Sequence, residues 1–421
     1  MLIVLKKLLF GNGENIMRKS AVWNLISSLE YSLQSAVLML VVTRVSGLYV
    51  AGVFTICYTL TQMMSTIGNY GMRSFQVSDI KREYSFQTYF SSRIVSTLIM
   101  IIICMSFAVF QGYDSEKMLI IIALCGYRMV DSMEDVFHGE MQKSLRFDVA
   151  SKIMSARIFI ATLAFSISHI ITKDLFFSSM VLAISAVIVS VILNWIAIVE
   201  FEEIYLKVKI TGIMKLLLVC LPVCLGEFLY NYLINAPKYA IDRNLSEETQ
   251  TIFSILFMPI FAINMLSSFI FKPMIVNMGV LWNDGEYKKF IMCVLKQMIT
   301  IIVLTIVLML AGAIVGIDIM GWMYNVDLDI YRVLFAVLIL FGGVAAMVAF
   351  LVVVLTIIRK QEYIMISYGI ALVLTLLFID TIVIKYKIWG AGIAYGLSMS
   401  IVMLLLLAVL VTTMYKKRMV K

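Results

Sequence analysis

Residues 175–199 read LFFSSMVLAISAVIVSVILNWIAIV, with no charged residue and enough length to cross a bilayer as one helix. Residues 331–358 repeat the pattern with a single arginine near their start. Working outward, apolar runs also occur at about 21–43, 48–70, 93–110, 118–137 and 153–171. In the second half they fall at about 213–234, 251–271, 291–316, 363–384 and 389–414. Twelve runs predict twelve membrane helices. None shows the short apolar–polar alternation of a membrane barrel, so the expected fold is all-α and polytopic. Composition agrees: 62% of the 421 residues are hydrophobic and 14% charged, where soluble domains sit near 45–50% and 25%. Mean hydropathy is +0.99.

Lysine and arginine set the orientation. Of the 34, 24 fall on the side that holds both tails and alternate connectors, against 8 on the other; Arg128 and Arg157 lie inside apolar runs. Both termini are therefore expected in the cytoplasm. The net charge of +8 reflects this topology rather than a nucleic-acid partner. The opening MLIVLKKLLF lacks the charge order and cleavage site of a signal peptide and reads as an interfacial helix.

A gapless offset of 199 pairs Tyr31 with Tyr230, Arg44 with Arg243, Phe54 with Phe253, Ile56 with Ile255 and Arg73 with Lys272. Parallel repeats of this kind build transporters, with the substrate path between halves. The expected organisation is an N-terminal segment (1–20), a six-helix bundle (21–205), a linker (206–212), a second six-helix bundle (213–414) and a basic tail (415–421). The bundles are expected to be related by a pseudo-two-fold axis.

Polar residues inside membrane helices are costly and usually face protein or water. Four helices carry them at helical spacing. Ser27, Glu30 and Gln34 lie on the first; Gln62, Thr66, Asn69 and Arg73 on the second. Glu227, Asn231, Asn235 and Lys238 follow on the seventh, Asn264, Ser268 and Lys272 on the eighth. They are candidates to wall a hydrated cavity, with Glu30 and Glu227 as ion-coupling groups. The competing reading is hydrogen bonding between helices. Arg128, Asp131, Asp135 and His138 share a face of the fourth helix, and Arg157 reaches a similar depth on the fifth. This set is a salt-bridge cluster or a gate.

Several chemistries are excluded or disfavoured. Two histidines, His138 and His169, and six singly placed cysteines predict neither metal centre nor cofactor. No phosphate-cradling Walker sequence is present, so ATP hydrolysis is not expected. Asp327-Leu-Asp329 lies in a short outer loop with no nucleotide-binding domain, and Gly392-Ile-Ala-Tyr-Gly396 reads as close helix packing. The chain is not expected to be an enzyme.

The segment Thr43-Arg44 through Gly52-Val53-Phe54, ending in Tyr70-Gly71-Met72-Arg73-Ser74-Phe75-Gln76-Val77-Ser78-Asp79, resembles bacterial polysaccharide flippases of the Wzx type. So does Asn235-Ala-Pro-Lys-Tyr-Ala-Ile-Asp242-Arg243, followed by Ile255-Leu-Phe-Met-Pro259. That family belongs to the multidrug/oligosaccharidyl-lipid/polysaccharide exporter superfamily. The resemblance covers helices 1–2 and 7–8, and the rest by helix count. It implies a V-shaped transporter of the bacterial cytoplasmic membrane. Its cargo would be an undecaprenyl-pyrophosphate-linked oligosaccharide, for O-antigen or capsule, moved to the outer leaflet by alternating access. Other polysaccharide assembly proteins would be its partners. A pyrophosphate needs cations; Arg44, Arg73, Arg243 and Lys272 are the candidates, with Lys238 behind them. The alternatives are a cation-coupled small-molecule or multidrug exporter on the same fold and a lipid II flippase.

Overall fold

The computed structural model describes residues 2–11, 15–79, 81–201, 210–271 and 274–419, and no strand occurs among them. Lys272, the linker residues 206–209 and the tail end 420–421 lie outside the described residues. Two compact units result, Met1–Phe228 and Leu229–Lys421.

Unit 1 contains α1 (Leu2–Phe10), α2 (Ile16–Asn69), α3 (Met72–Ser78), α4 (Phe86–Phe110), α5 (Ser115–Lys143), α6 (Phe147–Thr172), α7 (Leu175–Ile198) and the first part of α8 (Ile210–Asn244). Unit 2 holds the rest of α8 with α9 (Glu247–Phe271), α10 (Ile275–Asn283), α11 (Tyr287–Ala311), α12 (Ile317–Tyr324), α13 (Arg332–Ile357) and α14 (Glu362–Met419). A π-turn at Gly312–Gly316 joins α11 to α12.

The twelve expected runs are all helical. Runs 1 and 2 lie on either side of a break at Gly47 (φ 83°, ψ −178°) within α2, and runs 11 and 12 on either side of a break at Lys387 (φ 52°, ψ −131°) within α14, so these two connectors are very short. Glycine reaches positive φ without steric cost; Lys387 does so against its side chain. Nine described helical spans are long and apolar enough to cross a membrane, two of them, Ile16–Ser78 and Glu362–Tyr415, more than twice the usual length. α5 falls short of that apolarity because of its charges, which are paired with one another and with neighbouring helices. The chain is an all-α, multi-pass membrane protein.

Start signals explain the boundaries. Ser85, Asp114 and Asp174 cap α4, α5 and α7 by accepting backbone N–H groups of Thr88, Lys117 and Phe177. The Ser85 cap starts α4 two turns before the expected edge at 93, so Arg93 lies inside the helix and is fully buried. Small residues permit the tightest packing. A Cβ added at Gly343 on α13 would collide with Thr305 of α11, and one at Gly396 on α14 with the Phe341 ring of α13. The Gly392/Gly396 pair is thus a packing face against α13.

α1 is docked on unit 1. Lys152 donates to the carbonyls of Leu8 (3.2 Å) and Leu9 (2.7 Å), and Arg146 to that of Phe10 (2.9 Å). These are the carbonyls a helix leaves unpaired at its C-terminus. Leu9 packs with Met141, Val149 and Ile153, and Lys6 pairs with Glu200.

The internal offset has a structural counterpart. In unit 1, Phe54 and Tyr58 stack one turn apart at 5.4 Å, and the Arg128 guanidinium lies 4.5 Å from the Tyr58 ring centre. In unit 2, Phe253 and Phe257, at the equivalent numbers, also stand 5.4 Å apart, and Lys238 Nζ lies 5.4 Å from the Phe257 ring.

Candidate functional site

α2 ends where Tyr70 and Gly71 both take left-handed backbone conformations (φ 52° and 62°), and α3 leaves in a new direction. The break leaves a pocket of about 610 Å³ whose lining includes Asn69, Arg73, Ser78, Asp135, Gln142 and Glu227. Among the described residues its one aliphatic lining side chain is Val77. A volume of this size suits a drug-sized or disaccharide-sized group. By residue type most of its lining side chains are polar or charged, although their carbon atoms supply much of the exposed surface, as in ordinary ligand sites.

Arg73 does not point into this pocket as a free cation. Its Nη1 donates to Asp135 Oδ1 at 2.9 Å, while Nε and Nη2 donate to Gln142 Oε1 at 3.3 and 3.1 Å. Arg93 Nη2 holds the other carboxylate oxygen of Asp135 at 2.8 Å, and its Nη1 donates to the carbonyls of Gly68 (3.0 Å) and Asn69. One carboxylate thus joins α3, α4 and α5, and the α2 terminus is tied to the same arginine.

Deeper in unit 1 a second network ties α2, α5, α6 and α7. Arg157 donates to Glu134 Oε2 at 2.6 Å and pairs with Asp131 Oδ1 at 2.6 Å; Arg128 donates to Asp131 Oδ2 at 2.8 Å. Glu134 Oε1 also accepts from Ser190 (3.2 Å) and Asn194 (3.1 Å). Tyr127 Oη accepts from Arg157 (3.1 Å) and donates to Gln34 (2.8 Å), whose amide donates to Thr162 (3.0 Å). Buried charges of this kind are tolerated only when paired and hydrogen-bonded.

The structure sorts the expected residues accordingly. Asn69, Arg73, Asp135 and Glu227 meet at the pocket. Gln34, Arg128, Asp131 and Arg157 form the inner network, so Gln34 ties helices together. Glu30 Oε2 is buried with no hydrogen-bond partner among the described residues. Gln62 and Arg44 are exposed, and Asn231 is half-buried. In unit 2, Arg243 donates to Asp380 at 2.9 Å, and Asn244 donates to the same carboxylate at 2.9 Å. Lys238 is buried, and Asn264 donates to the carbonyl of Ile260 at 3.2 Å. The basic pairs expected for a pyrophosphate are thus neutralised at Arg73 and Arg243.

Sequence reasoning misses Arg93, Gln142, Asn194 and Asp380. The apolar run begins at Arg93, which places that residue in a connector by sequence; the Ser85 cap is the signal that moves it into the helix. Asp327-Leu-Asp329 is a turn: Asp327 accepts the Asp329 N–H at 3.1 Å and Asp329 pairs with Arg332 at 2.7 Å. Asp79, in the connector after α3, accepts N–H groups of Glu83 (2.8 Å) and Tyr84 (3.1 Å) and the Tyr89 hydroxyl (3.2 Å). Partial burial pulls its pKa upward, but these donors outweigh it and hold the carboxyl below its ordinary value. No group of three or more potential metal ligands occurs among the described residues.

Solved structures share this fold over nearly the whole chain. A MOP superfamily transporter from Pyrococcus furiosus, described as having a binding pocket of reversed polarity, matches with TM-score 0.57 at 13% identity, covering 98% of this chain and 97% of the other. An outward-facing multidrug resistance MATE transporter matches with TM-score 0.58 at 11% identity, covering 99% of each. The MATE multidrug transporter DinF-BH matches with TM-score 0.59 at 13% identity over 95% of each. No family model and no curated relative matches the sequence. At these identities the shared property is the fold, that of the MOP superfamily transporters.

Proposed function

We propose that this chain is a membrane transporter that works by alternating access. The observation that carries the reading is the polar pocket at the α2–α3 break, set among helices otherwise built of apolar residues. A chain of paired charges joining the ends of α2, α3, α4 and α5 suits an element with two discrete arrangements, because ion pairs can be exchanged as helices shift.

Two cargo classes compete. The names of solved neighbours, multidrug transporters, favour a small-molecule exporter; if it is coupled to a cation, Glu30 and Glu227 would carry that ion. Neutralisation of Arg73 and Arg243 by carboxylates also favours it, since a pyrophosphate clamp needs spare positive charge. The lipid-linked oligosaccharide reading rests on the sequence blocks at 43–79 and 235–259. It gains from the pocket wall, where amide, hydroxyl and carboxylate groups match sugar hydroxyls better than a flat aromatic drug.

A strain lacking the gene separates them. Accumulation of a polyprenyl-linked oligosaccharide, by mass spectrometry, supports the flippase. Unchanged polyprenyl lipids with increased sensitivity to cationic drugs support the exporter. Neither change, together with no substrate-dependent flux in proteoliposomes, would remove the transport reading.

A further inference from the structure

Among the described residues, each buried Asp, Glu or Arg has an ion-pair partner: Arg93 with Asp135, Arg128 with Asp131, Glu134 with Arg157, Glu140 with Arg82 and Asp148 with Arg146. Lys238, in unit 2, is the exception. It is 8% exposed, no carboxylate of the described residues stands within ion-pair distance of its Nζ, and its recorded contact is the face of the Phe257 ring. An aromatic face attracts a cation, but much less strongly than the desolvation of an ammonium opposes its burial. The ring alone does not offset that.

A second observation points to what does. Gln250, Ser254 and Phe257 share one face of α9, and counted from the α8–α9 turn Ser254 stands at nearly the depth of Lys238. Both polar atoms of Gln250, Nε2 and Oε1, and Ser254 Oγ are buried with no hydrogen-bond partner among the described residues. So is the hydroxyl of Tyr395, whose ring packs edge-on against Phe257 at 4.8 Å. Gln250 and Tyr395 are 0% exposed. A buried donor left unpaired is costly; Gln250 and Ser254 of α9 and Tyr395 of α14 are left so, Tyr395 against the same Phe257 ring that Lys238 faces. What these groups can offer in common is N–H and O–H donation. We propose that Lys238, Ser254, Gln250 and Tyr395 form an anion site inside unit 2, able to take chloride or the phosphate oxygens of an anionic cargo. A cation is disfavoured there by the ammonium itself. The site stands whether or not either cargo reading holds, because it requires only that an anion bind.

The test is equilibrium binding of radiolabelled chloride to the purified full chain in detergent by scintillation proximity. Saturable binding is expected, falling at least tenfold in Lys238→Gln and retained in Lys238→Arg. Tyr395→Phe and Ser254→Ala, which keep shape, should each weaken it several-fold and serve if Lys238→Gln does not fold. Displacement by inorganic pyrophosphate at concentrations where sulfate fails identifies a cargo phosphate as the source; equal, weak displacement by both identifies a free inorganic anion. Absence of saturable binding of both chloride and pyrophosphate, or binding unchanged in Lys238→Gln, overturns the proposal.

Discussion

Arg73 donates to Asp135 at 2.9 Å from the pocket side, while that carboxylate's other oxygen is held at 2.8 Å by the fully buried Arg93. The two contacts differ in solvent access: the Arg73 side chain is 30% exposed and that of Arg93 is 0%. Exposed pairs contribute about 0.2–1 kcal/mol, whereas removing one partner of a buried pair costs about 3–5 kcal/mol. Double-mutant cycles should therefore give a larger coupling for Asp135 with Arg93 than with Arg73. Unfolding in detergent of Arg73→Gln, Arg93→Gln, Asp135→Asn and the two doubles measures it; equal couplings would contradict this account.

Glu134 accepts from Arg157, Ser190 and Asn194 at once. Glu134→Ala removes one of the two carboxylates that hold Arg157, leaving Asp131 as the other, and takes an acceptor from Ser190 and Asn194. A loss of about 3–5 kcal/mol is expected, read as a lower melting temperature in detergent. Glu134→Gln keeps the shape and some acceptance, so it should lose less. Reversal of that order would mean that the shape and the acceptor oxygen kept by glutamine do not matter at this position.

Gly343 has no room for a methyl group, since the added carbon meets Thr305 on the facing helix. Gly343→Ala should cost about 1–3 kcal/mol through overpacking. Thr305→Ser, made in the Gly343→Ala background, removes one of the atoms in the way and should recover part of the loss. Thermal unfolding of the single and double variants gives the answer.

The pH dependence of the α3–α4 connector follows from Asp79. Its carboxyl is held below the ordinary value, so its stabilising effect is complete above the unfolded pKa of about 3.9 and fades as pH falls through the lower folded value. Amide exchange at Glu83 and Tyr84, corrected for intrinsic rates, should accelerate only below about pH 4. Asp79→Asn should accelerate it at neutral pH and flatten the profile.

Helix number is legible in the sequence because twenty apolar residues in a row admit few structures in water or lipid. The tightness of two connectors is not, because nothing in Arg44–Gly47 or Lys385–Ile388 distinguishes a loop from a one-residue break between two helices. Arg128, Asp131, Asp135 and Arg157 are recognisable as a group, since three of them recur along α5 at helical spacing and the fourth lies at matching depth. Their partners are not: Gln34, Ser190 and Asn194 join through packing of helices distant in the chain, and no spacing encodes that. The Arg73 and Arg243 positions are visible, but their neutralisation depends on Asp135 and Asp380, which lie 62 and 137 residues away.

The docking of α1 has a temporal side. Lys6 reaches Glu200 across 194 residues of sequence, and the carbonyls of Leu8, Leu9 and Phe10 wait for Arg146 and Lys152. At about 5–20 residues per second of synthesis, the last of these partners is made roughly ten to forty seconds after α1. Until Arg146 and Lys152 are made, α1 lacks the donors that hold its C-terminal carbonyls, and Glu200 follows later still. The helix that begins unit 1 in the sequence is thus among the last pieces of that unit to be secured, and faults in α5–α7 would register first as an undocked N-terminal helix.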